Sequence, residues 1–185
     1  MQLKIPFYYV ILSLVLAGLI HLSAVFALPF VAPKNAWARL ATLGPTNTMI
    51  LLPPAGQGEQ PMPFMAPDIR YAVCRFDLRS GAVRVRAGVP NDLWLIALYT
   101  PRGDNFYTVA GADMRNSRID LVLAREDQTV AEAGVDAPEG ADDVVVVNAP
   151  VEEGIVLIRA PLAGRSRAAE IEEALRASHC GPHKQ

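Results

Sequence analysis

The sequence predicts an α+β fold, mostly β: an antiparallel sheet or sandwich with a C-terminal helix packed on it, preceded by one transmembrane helix. The first observation is an apolar run over residues 5–33 that contains no Asp, Glu, Lys or Arg. The second is a series of short apolar or alternating segments, separated by turn residues, from residue 71 onwards. The third is a final segment with apolar residues at helical spacing. Short strands followed by one helix favour a sheet that buries one face of that helix.

The apolar run reads IPFYYVILSLVLAGLIHLSAVFALPFVAP and is longer than the ~20 residues needed to cross a bilayer. Aromatic residues near one end and Trp37 beyond the other are typical of the two membrane interfaces. We expect an uncleaved anchor that contacts the lipid bilayer. The alternative is a cleaved secretory signal, because Val25 and Ala27 fit a small-residue cleavage site. Both interpretations export the rest of the chain.

The composition of the exported part limits the classes of function that it can have. Its roughly 150 residues fit one domain with a substantial core. The chain has a net charge of −2 and no block of Lys or Arg, so no nucleic-acid partner is expected. It lacks GxSxG, P-loop, GxGxxG and HExxH motifs. The predicted folded middle contains no His, which argues against a conventional hydrolase.

Three segments follow the predicted anchor. Residues 34–70 are rich in Pro and Gly, which disfavours helix, but the apolar patches MILL and PMPFM argue against a free linker. We expect this segment to lie irregularly along the domain and to contribute one edge strand. Residues 71–180 are predicted to form the β-rich exported domain, and residues 181–185 a tail.

The first strand and its turn carry a register prediction. The segment YAVCRFDL alternates apolar and polar residues, and the Ser-Gly pair at 80–81 is typical of a two-residue hairpin turn. This turn sets Phe76 opposite Val85 on the core face. It also sets Asp77 opposite Arg84 on the outer face, which predicts a cross-strand ion pair.

Further strands and one short helix follow from the same patterns. The helix is expected at residues 126–133. The segment LWLIALYT is apolar on both faces, so it is predicted to be a central or doubly covered strand. The predicted strands lie at residues 93–100, 106–110, 118–124, 143–149 and 154–160.

The last predicted element is a helix over SRAAEIEEALRASHC. Ser166 is its expected N-cap, because a Ser side chain accepts a hydrogen bond from a free backbone N–H. Ile171 and Leu175 share its buried face. The Gly-Pro pair at 181–182 is expected to end it.

Two cysteines, Cys74 and Cys180, remain to be assigned. An even count in an exported domain favours a disulfide, here between an early strand and the C-terminal helix. The chain-entropy model gives about 4–5 kcal/mol for so long a loop; two free thiols are the alternative.

The C-terminal residues His179, Cys180 and His183 resemble a soft-metal site. However, a disulfide would leave no thiolate to bind the metal, and no fourth ligand is near in the sequence. We therefore expect no metal.

Two arginines form a first candidate surface. In the predicted hairpin Arg75 lies opposite Arg86, with Asp77 on the same face. Like charges directly opposed are destabilising unless an anion lies nearby. This face is therefore a candidate for binding lipid phosphate or a small anion, and a solvated face with splayed side chains is the alternative.

The turn over residues 99–107 is the second candidate. Loops between rigid strands are where sites tend to lie. The same residues also suit a tight hairpin, because Pro and Gly shape turns while Asp and Asn bond their own backbone. A ligand or partner surface here would use Tyr99, Arg102, Asp104, Asn105 and Tyr107.

Several motifs together resemble one known family. They are WARLATLGP at 37–45, PMPFMAPDIRYAVCRFDLRSGAVRV at 61–85, the turn LYTPRGDNFYT, and EEGIVLIRAPL, followed by Cys180. Over about 37–180 they resemble the bacterial membrane-anchored proteins catalogued as domain of unknown function 1254, in its short single-domain form. The resemblance implies an inner-membrane anchor, an envelope location and no assigned activity; larger relatives pair such a domain with a second β-rich domain.

The resemblance also marks individual positions. Thr100 stands where an acidic residue is frequent in the family. The residues at the family's recurring positions are Cys74, Arg75, Asp77, Tyr99, Gly103, Asn105 and Tyr107.

Taken together, the sequence predicts a single-pass protein of the bacterial inner membrane with its C-terminal domain in the periplasm. We expect a binding or structural module that contacts another envelope protein and carries no cofactor. One alternative is an enzyme that uses Arg and carboxylates around the 99–107 turn. The other is a lipid- or small-anion-binding module on the Arg75 and Arg86 face.

Overall fold

The computed structural model describes residues 6–31, 35–56, 60–89, 93–113, 117–126, 144–162 and 164–183. The chain divides into two compact units, Met1–Asn35 and Ala36–Gln185. The first unit contains one long helix, and the second contains the strands and the two other α-helices of the described residues.

Helix α1 spans Phe7–Val31. Its stretch Phe7–Leu28 is long and apolar enough to cross a membrane. A signal sequence near the N-terminus has the same length and composition. The helix therefore agrees with the predicted apolar segment and is compatible with either an uncleaved anchor or a cleaved signal.

The second unit begins with helix α2, Ala36–Ala41, and carries helix α3, Ala168–Arg176, near its end. Single 3-10 turns lie at Gly111–Asp113 and Arg165–Arg167. The strands are β1 (Met49–Leu51), β2 (Ile69–Asp77), β3 (Val83–Gly88), β4 (Leu95–Tyr99), β5 (Asn105–Ala110), β6 (Arg118–Arg125), β7 (Val144–Ala149), β8 (Glu153–Pro161) and β9 (His179–Pro182).

These strands form two sheets. The five-stranded sheet has the order β1-β2-β8-β4-β5, and each neighbouring pair is antiparallel. The four-stranded sheet has the order β7-β6-β3-β9, in which only β6 and β7 are parallel. The two sheets share one core, so the predicted mostly-β architecture with a C-terminal helix is confirmed.

The shared core comes from strict alternation along the strands. Phe76 and Leu98 of the five-stranded sheet are buried against Val85 and Leu121 of the four-stranded sheet, together with Leu175 of α3. Each of these side chains is at most 1% exposed. Burying a side chain of this size is worth about 1.5–3 kcal/mol, so this layer is the main source of stability.

A disulfide joins the two sheets. Cys74 of β2 is bonded to Cys180 of β9, across a sequence separation of 106. Helix α3 contacts β1, β2 and β3 and therefore packs on both sheets. Arg70 of β2 fixes it further, because its Nε donates to Oε1 of Glu172 at 3.0 Å. The predicted disulfide is thus present, although its second cysteine lies in a strand after the helix.

The predicted hairpin between β2 and β3 is wrong. The chain does turn there, and the N–H of Gly81 donates to the carbonyl oxygen of Leu78 at 3.2 Å. Strand β2 already has β1 on one edge and β8 on the other, so β3 pairs with β6 and β9 in the second sheet. Alternation looks the same in a hairpin and in a corner between sheets, because in both cases every second side chain faces the core.

The C-terminal boundaries also differ from the prediction. The helix begins at Ala168, after a 3-10 turn that contains Ser166, and its N-cap Arg167 makes no side-chain capping bond. The helix ends at Arg176. His179–Pro182 then forms edge strand β9 on β3, where part of a tail was predicted. Pro182 is tolerated because an edge position needs no backbone donor.

Most predicted strands are confirmed. Strand β4 lies between β8 and β5, as its two apolar faces indicated, and β5 returns as its partner. The expected edge strand of the Pro-rich segment is β1, at the end of the five-stranded sheet. The helix predicted at 126–133 lies outside the described residues except for Glu126.

Candidate functional site

The outer face of the five-stranded sheet carries a second apolar layer. Val73 of β2 and Ile155 of β8 point away from the main core and are 3% and 6% exposed. They are covered by Leu40 of α2 and by Leu52 beyond β1. Further apolar side chains pack around these four: Ala36, Trp37, Ile50, Met62, Met65, Tyr71, Tyr99 and Leu157.

An apolar groove of about 320 Å³ opens in this layer. That volume is at the lower end of the range of small-molecule sites, which are mostly apolar and carry few polar groups. Its floor comes from strands β2, β4 and β8, and its walls come from α2, the 61–67 loop and the turn after β4. Tyr71, Val73, Tyr99, Ile155 and Leu157 form the floor; Ala36, Leu40, Leu52, Met62, Pro63, Phe64, Met65 and Gly103 complete the lining.

Two features of this lining bear on ligand binding. The Tyr99 hydroxyl has no hydrogen-bond partner within the part of the chain that the structure describes, so it is available to a polar ligand atom. The Tyr71 hydroxyl is occupied, because it accepts a hydrogen bond from the N–H of Ala66 at 3.2 Å. Tyr71 therefore fixes the 61–67 loop, while Tyr99 provides a free polar group at an apolar surface.

Arg75 holds the segment that walls the groove. Its Nη2 donates to the carbonyl oxygen of Gly44 at 2.9 Å, and its guanidinium lies 5.0 Å from the centre of the Trp37 ring. Asn47 adds two bonds to Asp77, accepting from its N–H at 2.8 Å and donating to its carbonyl oxygen at 3.1 Å. The first predicted site residue is therefore a structural clamp between α2, the following loop and the sheet.

The predicted Arg75 and Arg86 face does not exist. Arg75 lies on the outer side of the five-stranded sheet, and Arg86 lies on the outer side of the four-stranded sheet. Arg86 instead lies opposite Asp120, with an Nε–Oδ2 distance of 3.2 Å. Arg84, which was expected to pair with Asp77, binds both oxygens of Asp120 at 2.7 and 2.6 Å.

This second charged face forms its own cleft of about 350 Å³. Arg84 and Arg86 line it together with His179, Pro182 and His183. Asp120 neutralises the two guanidinium groups in part and raises the pKa of Arg84 through its hydrogen bonds. Cys180 cannot act as a thiolate ligand here, because its sulfur is in the disulfide.

Asp77 belongs to a different ion-pair network. The Arg79 N–H donates to Asp77 Oδ1 at 3.0 Å and its Nη2 donates to Oδ2 at 2.6 Å. These bonds hold the pKa of the Asp77 carboxyl below its usual 3.8. Arg79 also bridges to Glu153, so it ties the end of β2 to the start of β8.

The predicted 99–107 turn borders an open polar groove of about 570 Å³. Arg102 and Asp104 line it with Arg79, Glu152 and Glu153. The structure thus brings two of the predicted residues to the same groove as Glu152 and the first residue of β8, Glu153. Tyr107 lies on the core side of β5 opposite Leu98, where burial raises the pKa of its phenol.

The polar side chains of Thr100, Asp104 and Asn105 are used by the turn itself. The Thr100 hydroxyl donates to Asp104 Oδ2 at 3.0 Å and accepts from the N–H groups of Arg102 and Asp104. Asn105 Nδ2 donates to the carbonyl oxygens of Leu98 and Tyr107, both at 3.2 Å. Gly103 adopts the positive φ of 98° that the turn needs. The Thr100 hydroxyl therefore helps to form the turn.

Sequence reasoning missed the apolar groove. Its lining comes from six separate stretches of chain, and no single stretch contains a motif. The available signals were the apolar patch PMPFM in a Pro-rich segment and the two apolar faces of LWLIALYT. Both indicated an additional layer on the sheet, but neither indicated that the layer leaves a groove.

A family model described as "Protein of unknown function (DUF1254)" matches residues 46–182. The chain therefore belongs to this family, as the resemblance of its motifs implied. A search of curated proteins finds no match.

Solved structures match part of this chain. One is the VPA0106 protein from Vibrio parahaemolyticus, with a TM-score of 0.58 and 12% identity, over 77% of this chain and 32% of that one. Another is an uncharacterized protein from Burkholderia cenocepacia, with a TM-score of 0.41 and 15% identity, over 71% of this chain and 33% of that one. The chain thus spans about a third of the length of these proteins, and the Vibrio likeness concerns the fold alone.

Proposed function

We propose that this protein is a single-pass membrane protein whose β domain lies in the periplasm. There it acts as a lipid-binding module of the cell envelope, and the apolar groove takes one acyl chain of a membrane lipid. The observation that carries the proposal is the groove itself, an opening of about 320 Å³ floored by apolar strand residues. Water in such a groove lacks polar partners, so an apolar ligand gains by replacing it.

The chemistry of the lining favours a flexible apolar chain over a flat or charged ligand. Met62 and Met65 are adaptable, polarizable walls, and thioethers fill irregular apolar space well. Leu157 and Ile155 give the floor branched aliphatic surface. The Tyr99 hydroxyl in the lining can donate a hydrogen bond to an ester or headgroup oxygen of the lipid.

The position of the groove in the chain favours a lipid as the source of that apolar chain. Ala36, which lines the groove, follows the last residue of α1, Val31, by five positions. At a reach of ~3.6 Å per residue, a chain that leaves a membrane-spanning helix at Val31 reaches Ala36 within about 18 Å. The groove therefore begins close in sequence to the segment that we propose spans the membrane.

Photolabelling tests the proposal in the full-length chain. The protein is reconstituted into nanodiscs of phosphatidylethanolamine and phosphatidylglycerol that contain a lipid with a diazirine in its acyl chain. After irradiation, labelled peptides are mapped by mass spectrometry. We expect label in α1 and, separately, on the β8 and β4 residues that floor the groove, including Leu157 and Tyr99.

A pair of matched variants locates the label. Leu157→Asn places an amide on the floor of the groove, and Val146→Asn makes a comparable change at a half-buried position of β7, on the outer face of the other sheet. The first should abolish label on the groove and the second should leave it unchanged. Label confined to α1 in the wild-type protein would overturn the proposal without reference to any variant.

A further inference from the structure

The 61–67 loop presents an aromatic side chain entirely to solvent. Phe64 is fully exposed, more than any other large apolar side chain in the described residues. Its backbone has a φ of 60°, in the left-handed region that disfavours a residue with a bulky side chain. An exposed ring and an unfavourable backbone each cost free energy in water, so the rest of the loop must hold this conformation.

The base of the loop is well held. Met62 and Met65, on either side of Phe64, pack into the second apolar layer of the five-stranded sheet. The N–H of Ala66 donates to the Tyr71 hydroxyl at 3.2 Å, and the N–H of Ile69 donates to the Ala66 carbonyl oxygen at 3.3 Å. The loop is therefore a fixed support with an apolar tip, which is the form of an insertion loop rather than of a free linker.

We propose that this loop inserts Phe64 into the interfacial region of the bilayer, as a second membrane contact of the domain besides the anchor. The inference rests on the proposed function for the anchor, but it does not require an occupied groove. A Phe ring gains free energy when its apolar surface is buried at the boundary between headgroups and acyl chains. Ala36, five positions after α1, lines the same groove as Phe64, so the loop lies at the end of the domain where the chain enters.

A cationic residue, Arg102, precedes one of the residues that line the groove with Phe64. Gly103 lines the groove together with Phe64, and its neighbour Arg102 is exposed in the adjoining polar groove. The Arg102 guanidinium makes no ion pair within the described residues, although Asp104 and Glu152 line the same polar groove. An exposed arginine next in sequence to a residue of the groove is suited to a lipid phosphate, because anionic membrane surfaces attract basic groups.

Tryptophan fluorescence in nanodiscs tests the insertion. Phe64→Trp in the full-length chain is compared with Leu93→Trp. Leu93 is exposed and lies just before the start of β4, whereas Tyr99 of the groove lies at the end of that strand. The emission of the wild-type protein, which contains Trp37 and Trp94, is subtracted from each. Discs of phosphatidylethanolamine and phosphatidylglycerol are made with and without lipids brominated near the top of the acyl chain.

We expect the added emission of Phe64→Trp to be shifted to the blue and strongly quenched by bromine, and that of Leu93→Trp to show neither effect. An unshifted, unquenched Phe64→Trp signal would overturn the insertion, as would equal quenching at both positions. Photolabelling of the groove separates the two proposals. A labelled groove with an unquenched Phe64→Trp rejects the loop alone, and an unlabelled groove with a quenched Phe64→Trp rejects only the acyl-chain site.

Discussion

The two sheets of the sandwich bury alternate apolar side chains in the same core, but their outer faces differ in composition. On the five-stranded sheet the outward positions of β2, β4 and β8 are largely apolar, and α2 and the 61–67 loop cover them. On β3 and β6 the outward positions include Arg84, Arg86 and Asp120, and both arginines pair with the aspartate. A smaller apolar cluster, around Val122 and Ala124, lies towards β7. A strand that is apolar on both faces therefore marks a second layer, and here that layer contains the groove.

The largest loss of stability should come from removing the disulfide that joins the two sheets across the core. Replacing Cys74 and Cys180 by Ala removes a link over 106 residues. The chain-entropy model predicts a loss of about 4–5 kcal/mol in the free energy of unfolding. Denaturant unfolding of the oxidised protein and the double variant measures it, with the reduced wild-type protein as the control. A loss below about 1 kcal/mol would mean that the sheets are held by packing alone.

The outer faces themselves are compared by one truncation on each. Ile155→Ala removes a side chain that is 6% exposed beneath α2, and we expect a loss of about 2–4 kcal/mol. Arg86→Ala removes one exposed ion pair with Asp120, and we expect at most ~0.5 kcal/mol. Equal losses in denaturant unfolding would remove the distinction between a packed face and a solvated one.

A glycine in each sheet sharpens the comparison. A Cβ at Gly154 of β8 would meet the Phe76 ring and the Tyr99 carbonyl oxygen, whereas a Cβ at Gly88 of β3 would meet nothing within 4 Å. Gly154→Ala should therefore cost about 1–3 kcal/mol through overpacking, and Gly88→Ala should be close to neutral. Thermal unfolding of the two variants is sufficient. A neutral Gly154→Ala would show that β8 and β4 can separate under the groove.

The smallest expected effect is a pH dependence from Asp77. Arg79 holds the pKa of this carboxyl below 3.8 in the folded protein, so the folded state favours the charged form. The stability it contributes is present above pH 3.8 and is lost as the pH falls through the lower folded value. Below pH 4 the unfolding midpoint of the wild-type protein should fall more steeply than that of Asp77→Asn. Parallel pH profiles would exclude Asp77 as a contributor.

Much of the fold followed from local patterns. Alternation located β2 and its neighbour in sequence β3, and a doubly apolar segment located β4 between two partners. Alternation gives the buried face of a strand but not its neighbour, which is why β2 and β3 were joined as a hairpin when they belong to different sheets. Strand β9 was missed because HCGP carries no strand pattern; its pairing comes from the free edge of β3 and the bond to Cys74.

The candidate site was harder to predict than the fold. Arg75, Asp77 and Asn105 were identified as notable residues, and each proved to hold the backbone together. The groove depends on side chains as far apart in sequence as Leu40 and Leu157, which only the tertiary fold brings to one surface. A catalytic motif can be recognised because certain residue types recur at a fixed spacing in the sequence. The residues that line an apolar groove have no fixed spacing, so the groove cannot be recognised in this way.

One measurement tests the groove most directly: methyl NMR of the full-length chain in nanodiscs with protonated acyl chains. Leu157 faces the groove, and Val146 faces outward from the other sheet, so each reports on one face. We expect nuclear Overhauser effects from acyl-chain methylene protons to the Leu157 methyl groups and none to those of Val146. Their absence at Leu157, or equal effects at both residues, would contradict an acyl-chain site in the groove.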